Sequence, residues 1–410
     1  MHARNATANA AVRRPLTAPA ATRRPWVDWE LAIPAAVTLA VMLWGIRIPP
    51  YWGDEVDTVS AVSRSLPQLI RLLGHTDAMH GLYYLLLWPV ARVAGTGEVA
   101  TRLPSALAMT AAALGVSAIA RRLRSRRAAL CAGLVFAALP AVTQQGHDAR
   151  PYAMLTAAVV LASYLLLGLT DDLRPGRFAG YGLARTRRLS AGAGAAHRAR
   201  ARDHAARLAA PGRHVRRRRP VGPGGAPGLA AGVAAVGALS APVAVMAWLQ
   251  RGSFAWIKEP GWYDFRYLLA FLAGGSVLSA VVMAVLAAAA AIRGAHQLPG
   301  LALPWLVVPP ALLWAVSFLQ PAYSARYVTF CLPATALLVG AALAALRTPV
   351  AATALGLLVA LSVPGPLGQW AVRVSGGSTG AAAIQAASQF LAAHERSGDA
   401  VVYPGSSSRR

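Results

Sequence analysis

Acidic residues are scarce in this chain. Its 410 residues hold 15 Asp and Glu against 40 Lys and Arg, which gives a formal net charge of +25. Lysine is scarcer still, since Lys258 is the only one. Charged residues of both signs make up 13% of the chain, whereas 56% of it is hydrophobic. A composition so poor in charge and so rich in apolar residues excludes an ordinary soluble domain.

Cysteine is also rare. Cys131 and Cys331 both lie inside apolar runs, and they have neither metal-ligand nor oxidoreductase spacing. Two such residues exclude a disulfide framework, so we expect both to be small core residues.

Nucleic acid is not an expected partner despite the positive charge. The arginines lie between apolar runs or in one block, and no nucleic-acid-binding signature contains them. The expected surroundings are a lipid bilayer, because many apolar runs approach the roughly 20 residues that cross one.

These runs predict an all-α polytopic membrane protein. A shorter apolar piece, residues 81–94, is interrupted by Pro89 and Arg92 and predicts a juxtamembrane helix in the first outer loop. The predicted spans are residues 31–48, 99–120, 128–142, 152–169, 229–249, 266–292, 301–318, 328–346 and 350–364.

Arginine placement predicts the orientation. Residues 1–29 carry five arginines before the first apolar run, and residues 121–127 carry five more, so both segments are expected in the cytoplasm. The protein is then a multi-pass protein of the cell membrane with a cytoplasmic N-terminus and an extracytoplasmic C-terminus. Three loops would share the outer face: residues 51–84, 144–152 and 319–327.

The predicted organisation has five parts. A basic tail (1–29) precedes an N-terminal transmembrane catalytic module (30–170), and a second transmembrane module covers residues 229–370. The last part (371–410) predicts a linker, a helix and the start of a strand at residues 399–403, which is too little to form a core, so the outer domain looks truncated.

The segment between the two modules, residues 171–228, is anomalous. From residue 173 onward it has fourteen arginines, one acid and no hydrophobic period. Two interpretations stay open. It is a basic cytoplasmic loop that touches anionic lipid headgroups, or it is a stretch of GC-rich gene read out of frame, in which case the protein could be inactive.

The few acids are concentrated in one place. Asp54, Glu55, Asp57 and Asp77 all lie within residues 51–84, which are expected to form a polar loop between spans. A carboxylate held near a bilayer surface can act as a general base. The bland alternative is a solvated pair of loop acids.

Two further outer loops add arginines. Arg150 follows Asp148 in one loop and Arg326 lies in another, and a guanidinium can pair with two phosphate oxygens. Anchoring at the membrane surface is the alternative. A divalent metal site built from Asp54, His147 and Asp148 also stays open, although these residues have no diagnostic spacing.

Aromatic residues accompany the charged ones. Their rings could anchor the protein at the membrane interface, which is the favoured interpretation, or stack on a sugar. The residues are Trp52, Tyr83, Tyr84, Tyr323 and Tyr327.

In this order, the motifs resemble the GT-C glycosyltransferases, and among them the actinobacterial type of the protein mannosyltransferase and aminoarabinose transferase group. The resemblance covers roughly residues 30–170 and 229–405. The matching features are the acid pair Asp54 and Glu55, His80 with Leu82, Tyr83 and Tyr84, Arg-Leu-Pro-Ser at 102–105, Asp148 to Tyr152, and Arg326 and Tyr327 with Leu332 and Pro333.

The resemblance implies a GT-C-like helical bundle and a function. The chain would transfer a hexose, with mannose as the candidate, from a polyprenyl-phosphate sugar to an extracytoplasmic protein or glycan, with inversion. It implies Asp54 as the base, Glu55 and Asp77 as orienting groups, and His80, Arg150 and Arg326 as phosphate ligands. The predicted substrate site is completed by Tyr83, Asp148, Tyr152 and Tyr327. No cofactor is certain, and a divalent metal stays possible.

A transporter or lipid-handling protein without covalent chemistry is the rival function. Such proteins often contain internal repeats and broken helices at the bilayer midplane. The sequence contains no such repeat, and its acids are concentrated on one predicted face, which favours the enzyme.

Overall fold

A computed structural model describes residues 28–172, 257–292 and 297–365, scattered positions between 241 and 250, the helix Ala381–His394 and a few isolated positions. The predicted basic tail, the arginine-rich segment from residue 173, most of the predicted span 229–249 and the predicted strand at 399–403 lie outside the described residues.

The described part of the chain is helical and contains no strand. Two short 3₁₀ segments, Ala78–His80 and Ala325–Cys331, interrupt the helices. In chain order the α-helices are α1 Trp29–Leu43, α2 Gly53–Val62, α3 Leu66–His75, α4 Gly81–Ala94, α5 Glu98–Leu123, α6 Arg126–Ala138, α7 Pro140–Gly146, α8 Tyr152–Asp172, α9 Trp262–Leu272, α10 Val277–Ile292, α11 Gln297–Ser317, α12 Leu332–Ala345, α13 Thr348–Ser362 and α14 Ala381–His394.

Several of these helices have the length and composition of membrane spans. Glu98–Leu123, Leu298–Ser317 and Ala325–Ala345 meet both criteria alone, and α6 with α7 meets them as a pair bent by 66°. α1, most of α8 (Tyr152–Gly168) and α13 are shorter apolar helices. The protein is therefore an all-α polytopic membrane protein, as its composition predicts.

Proline and glycine explain where predicted runs break. The predicted run 128–142 bends at Pro140, which begins α7 and cannot donate a backbone hydrogen bond to continue α6. The prediction of one span over 266–292 is wrong. Gly274 and Gly275 have φ of 90° and 87°, a left-handed conformation that ends α9 before α10 begins.

The core joins the two predicted modules. α12 is apolar all round and nearly all of it is buried. It packs mainly against α6, α10 and α11, while α5 packs against α1, α6 and α8. Gly340 of α12 sits so close to the backbone of Ala132 in α6 that a side chain would overlap it. Tight packing between α6 and α12 thus fixes the second module on the first.

The prediction that residues 51–84 form a loop is wrong in its middle, because α2 and α3 lie there. α3 begins with a capping box, in which Gln68 accepts a hydrogen bond from the backbone of Ser65. α3 is amphipathic and too short to cross a bilayer, so its mean hydropathy resembles that of a loop.

α4 has the bounds that the sequence predicts for the juxtamembrane helix, Gly81–Ala94. One face, with Tyr83, Tyr84 and Leu87, is buried against α2 and α3. The other face is apolar and exposed, and Leu82 and Val93 are 72% and 90% accessible. Such a face suits contact with lipid.

Charged side chains link the opposite end of the bundle. Arg121, in the last turn of α5, lies 2.7 Å from Asp28, and Arg126 lies 3.2 Å from the buried Glu30. The start of α1 and the arginine-rich turn after α5 are therefore neighbours, in agreement with the prediction that they share one side. Cys331 is buried in the core and Cys131 is half-buried against it, as predicted for small core residues.

Candidate functional site

Three charged side chains from distant parts of the chain meet at the start of α2. Asp54 lies in the first turn of that helix, and its Oδ2 accepts a hydrogen bond of 2.5 Å from Arg326. The same oxygen lies 3.7 Å from the guanidinium of Arg150. The side chains of Asp54 and Arg326 are about one-fifth exposed and that of Arg150 is 7% exposed. The structure thus brings the predicted base together with two of the three predicted phosphate ligands.

Arg150 extends this group toward the predicted His80. It donates to the backbone oxygen of Asp54 at 3.1 Å and to Nε2 of His80 at 2.9 Å. A guanidinium can only donate, so Nε2 must accept and the proton of a neutral imidazole lies on Nδ1. That nitrogen faces Oδ1 of Asp77 at 3.9 Å.

Burial sets the charge state of this pair. Burial lowers the pKa of His80, and the Asp77 carboxylate 3.9 Å away opposes that shift. In turn, the neighbouring His80 holds the pKa of Asp77 below its usual value. Asp77 has a left-handed φ of 56°, which Asp tolerates better than most residues. The result is a continuous row of Asp77, His80, Arg150, Asp54 and Arg326.

Arg326 comes from the 3₁₀ segment before α12. Its guanidinium lies 4.9 Å from the ring centre of Trp52, and its Nε donates to Ser324 at 3.2 Å. The face of Trp52 therefore contacts a cation. Close by, Tyr152 and Tyr327 form an aromatic pair with ring centres 6.1 Å apart.

Glu55 points away from this group. It is fully buried, and Arg102 of α5 donates to both of its carboxylate oxygens at 2.8 Å. Oε1 also accepts from the backbone N–H of Ala149 at 2.9 Å. This geometry favours a positioning role over contact with a substrate.

Arg102 is a residue to which sequence reasoning assigned no role, although it opens the Arg-Leu-Pro-Ser motif. A signal was present. An arginine inside an apolar membrane-length helix is rare and needs a partner, and in this chain that partner is an equally rare acid.

The remaining predicted residues lie behind the group. Tyr83 is 3% exposed and Tyr84 fully buried, so neither ring is available to anchor the protein in the lipid interface. Asp148 is 1% exposed and interacts electrostatically with Arg102. Tyr323 donates to the backbone oxygen of Asp264 at 3.2 Å, which ties the third loop to α9.

A metal centre is not formed by the described residues. No group of three or more His, Cys, Asp or Glu among them could hold an ion. The open alternative of Asp54, His147 and Asp148 is therefore not supported. Nε2 of His147 bonds the backbone oxygen of Met42 at 2.7 Å, and burial lowers the pKa of this histidine.

An apolar cavity of about 850 Å³ lies among α9, α10, α11 and α12. Its lining includes Trp262, Phe265, Leu269 and Trp314. α9 also contacts the 3₁₀ segment that carries Arg326.

The arrangement can perform two kinds of chemistry. A carboxylate can accept a proton, and two guanidinium groups can hold an anion next to it. Partial burial strengthens the attraction between the guanidinium groups and an anion relative to water. Their proximity suits a reaction in which an anionic group leaves while a hydroxyl loses its proton.

Comparison with known proteins gives one match. Residues 82–186 match the family model of the dolichyl-phosphate-mannose-protein mannosyltransferases. The match covers about a quarter of the chain, including Arg102, Arg150 and Tyr152 but neither Asp54 nor Arg326. No curated protein and no solved structure gives a significant match. The similarity supports a relation to GT-C membrane glycosyltransferases over this part of the chain.

Proposed function

We propose that this chain is a membrane glycosyltransferase that moves a hexose, with mannose as the candidate, from a polyprenyl-phosphate sugar to an extracytoplasmic protein or glycan. The observation that carries the proposal is the meeting of Asp54 with Arg150 and Arg326. The family match over residues 82–186 supports the same class of donor.

Arg326 and Arg150 would bind the donor phosphate. The donor is a phosphodiester with one negative charge, and the polyprenyl phosphate that leaves is a monoester with more charge. Two guanidinium groups therefore interact more strongly with the leaving group than with the bound donor. Such differential binding lowers the barrier to departure.

Asp54 would be the general base. The acceptor hydroxyl oxygen attacks the anomeric carbon, and its proton passes to the carboxylate of Asp54. The bond between that carbon and the phosphate oxygen breaks at the same time, and its electron pair stays on the phosphate. Attack from the face opposite the leaving group inverts the anomeric configuration.

His80 and Asp77 would act mainly through Arg150. Neutral His80 accepts from the guanidinium at 2.9 Å, and Asp77 faces the other ring nitrogen. Holding the guanidinium in one orientation reduces the reorganisation needed when the phosphate gains charge. Tyr152 and Tyr327 interact with Arg150 and Arg326 and would contact the sugar.

The apolar cavity among α9–α12 would take part of the isoprenoid chain. Its aromatic and aliphatic lining suits hydrocarbon. Because α9 also packs against the segment with Arg326, a lipid held there would have its phosphate near the arginines. Asp148 lies too deep to reach such a ligand and would support the loop that carries Arg150.

A transfer assay tests the proposal. Membranes that contain the protein are incubated with radiolabelled polyprenyl-phosphate mannose, after the reading frame across residues 173–228 has been verified. Label should move from the lipid fraction to a polar acceptor, and Asp54→Asn should abolish the transfer at normal protein level. A transporter would move intact lipid-linked sugar between leaflets, so label that stays lipid-soluble contradicts the proposal.

A further inference from the structure

We infer that Arg102 is a positioning residue that holds Asp54 and Arg150 at their working distance. The inference rests on the proposed function, in which those two groups are the base and a phosphate ligand. Arg102 itself is fully buried and separated from the substrate side by Glu55, so it acts through other residues.

The guanidinium of Arg102 uses all of its hydrogen-bonding capacity. Nε and one Nη bind the two oxygens of Glu55 at 2.8 Å each. The other Nη binds the backbone oxygens of Ile46 and Pro49 at 2.9 and 2.8 Å. The Nη that binds Glu55 also makes a weaker bond of 3.4 Å to the backbone oxygen of Pro50. A guanidinium has five N–H donors, and here each one has an acceptor.

These bonds join the chain before α2, α2 itself and the distant helix α5. Residues 46–50 connect α1 to α2, Glu55 lies next to Asp54 in α2, and Arg102 belongs to α5. Glu55 also accepts from the backbone of Ala149, the residue before Arg150. Asp54, the proposed base, is therefore the sequence neighbour of Glu55. Arg150, a proposed phosphate ligand, is the sequence neighbour of Ala149, which donates directly to Glu55.

Tyr51 braces the ion pair from the side. The guanidinium of Arg102 lies 5.1 Å from the ring centre of Tyr51. The Tyr51 hydroxyl is 2.7 Å from both the backbone oxygen of Thr96 and the hydroxyl of Thr101. With the ring fixed at the start of α5, the guanidinium has little freedom to tilt.

The substitution Arg102→Lys tests this role. Lysine keeps the positive charge beside Glu55, but its ammonium has three donors and no planar fork, so it cannot bind the carboxylate and the three carbonyls together. Arg121→Lys is the matched control on the same helix. The two positions are 19 residues apart, about 28 Å along a helix, and Arg121 pairs with Asp28 at the other end.

Three quantities are measured for each purified variant in detergent: the midpoint of thermal unfolding, kcat with KM for polyprenyl-phosphate mannose, and hydrogen exchange at the Ala149 amide. We expect Arg102→Lys to lower kcat about a hundredfold, since small misplacements of reacting groups have effects of that size. KM should change much less because Arg326 makes no direct bond to Arg102 or Glu55 and is also held by Ser324 and the ring of Trp52. Exchange at Ala149 should accelerate, whereas Arg121→Lys should leave kcat and exchange unchanged.

Each other outcome overturns the inference. Unchanged kcat in Arg102→Lys, or the same loss in Arg121→Lys, contradicts a positioning role. If Arg102→Lys does not fold, Glu55→Asp is measured in the same way, and failure of both to fold assigns the pair to folding alone. If the wild-type protein transfers no sugar, the proposed function fails, and exchange at Ala149 still decides whether Arg102 controls this loop.

Discussion

Asp54 occupies the place where a phosphate oxygen would bind Arg326. Substitution of an active-site residue usually weakens ligand binding, but substitution of Asp54 should strengthen it. The carboxylate of Asp54 binds Arg326, so under the proposed function the anionic donor phosphate would compete with it for one guanidinium. Asp54→Asn removes the competing charge and leaves an amide of the same size. We therefore expect this variant to bind polyprenyl phosphate more tightly than the wild type while transferring no sugar.

The size of the effect follows from the contact that must break. A hydrogen bond between charged groups contributes about 1.5–3 kcal/mol. Both side chains are about one-fifth exposed, which favours the lower end of that range because solvent weakens exposed pairs. About 1.4 kcal/mol is a tenfold change in affinity, so Kd should fall about tenfold.

Equilibrium binding of a fluorescent polyprenyl phosphate to purified protein in detergent measures this change. Asp57→Asn is the matched control, since Asp57 lies in the same helix and its substitution removes the same charge. Its Kd should stay within about twofold of the wild type, and raising the salt concentration should reduce the gain in Asp54→Asn. Weaker or unchanged binding by Asp54→Asn would refute competition at Arg326.

The other predictions concern the phosphate site, pH and packing. Arg326→Lys keeps the charge but loses the planar fork, so KM for the lipid donor should rise about tenfold with a smaller change in kcat. Protonated His80 cannot accept a hydrogen bond from a guanidinium. Because the pKa of His80 is lowered from 6.5, activity should persist down to pH 6.5 and be lost only at a lower pH, where His80 becomes protonated. Asp77 raises that pKa, so in Asp77→Asn the acidic limb of the pH–rate profile should move to lower pH. Gly340→Ala should destabilise the α6–α12 packing by about 1–3 kcal/mol in thermal unfolding, whereas Gly356→Ala, with open space around it, should not.

Three results would contradict these predictions. They are a wild-type KM in Arg326→Lys, an acidic limb that moves to higher pH in Asp77→Asn, and equal unfolding midpoints for Gly340→Ala and Gly356→Ala.

The class of the protein and most helix positions follow from the sequence. Long apolar runs leave few alternatives to membrane helices, and α4 has the predicted bounds because polar residues flank a short apolar piece. The break at Gly274 and Gly275 was missed, because hydropathy is insensitive to a φ that only glycine adopts readily. α2 and α3 were missed because amphipathic helices outside the membrane have the mean hydropathy of loops.

The candidate site was partly predictable as well. The scarcity of acidic residues indicates a functional role for Asp54. The position of arginines in separate outer loops indicates one for Arg150 and Arg326. The different orientations of Asp54 and Glu55 were not predictable, because adjacent residues on a helix point about 100° apart and the sequence does not state which one faces the core. The partner that decides it is Arg102, which lies 47 residues further along the chain.

Release of sugar from its lipid carrier tests the central claim most directly. Purified wild type and Asp54→Asn are incubated with radiolabelled polyprenyl-phosphate mannose and an acceptor peptide or glycan, and lipid-free label is measured over time. The account predicts steady transfer by the wild type and loss of at least about a thousandfold in Asp54→Asn, in the range of general base catalysis. Equal rates for the two proteins would contradict it.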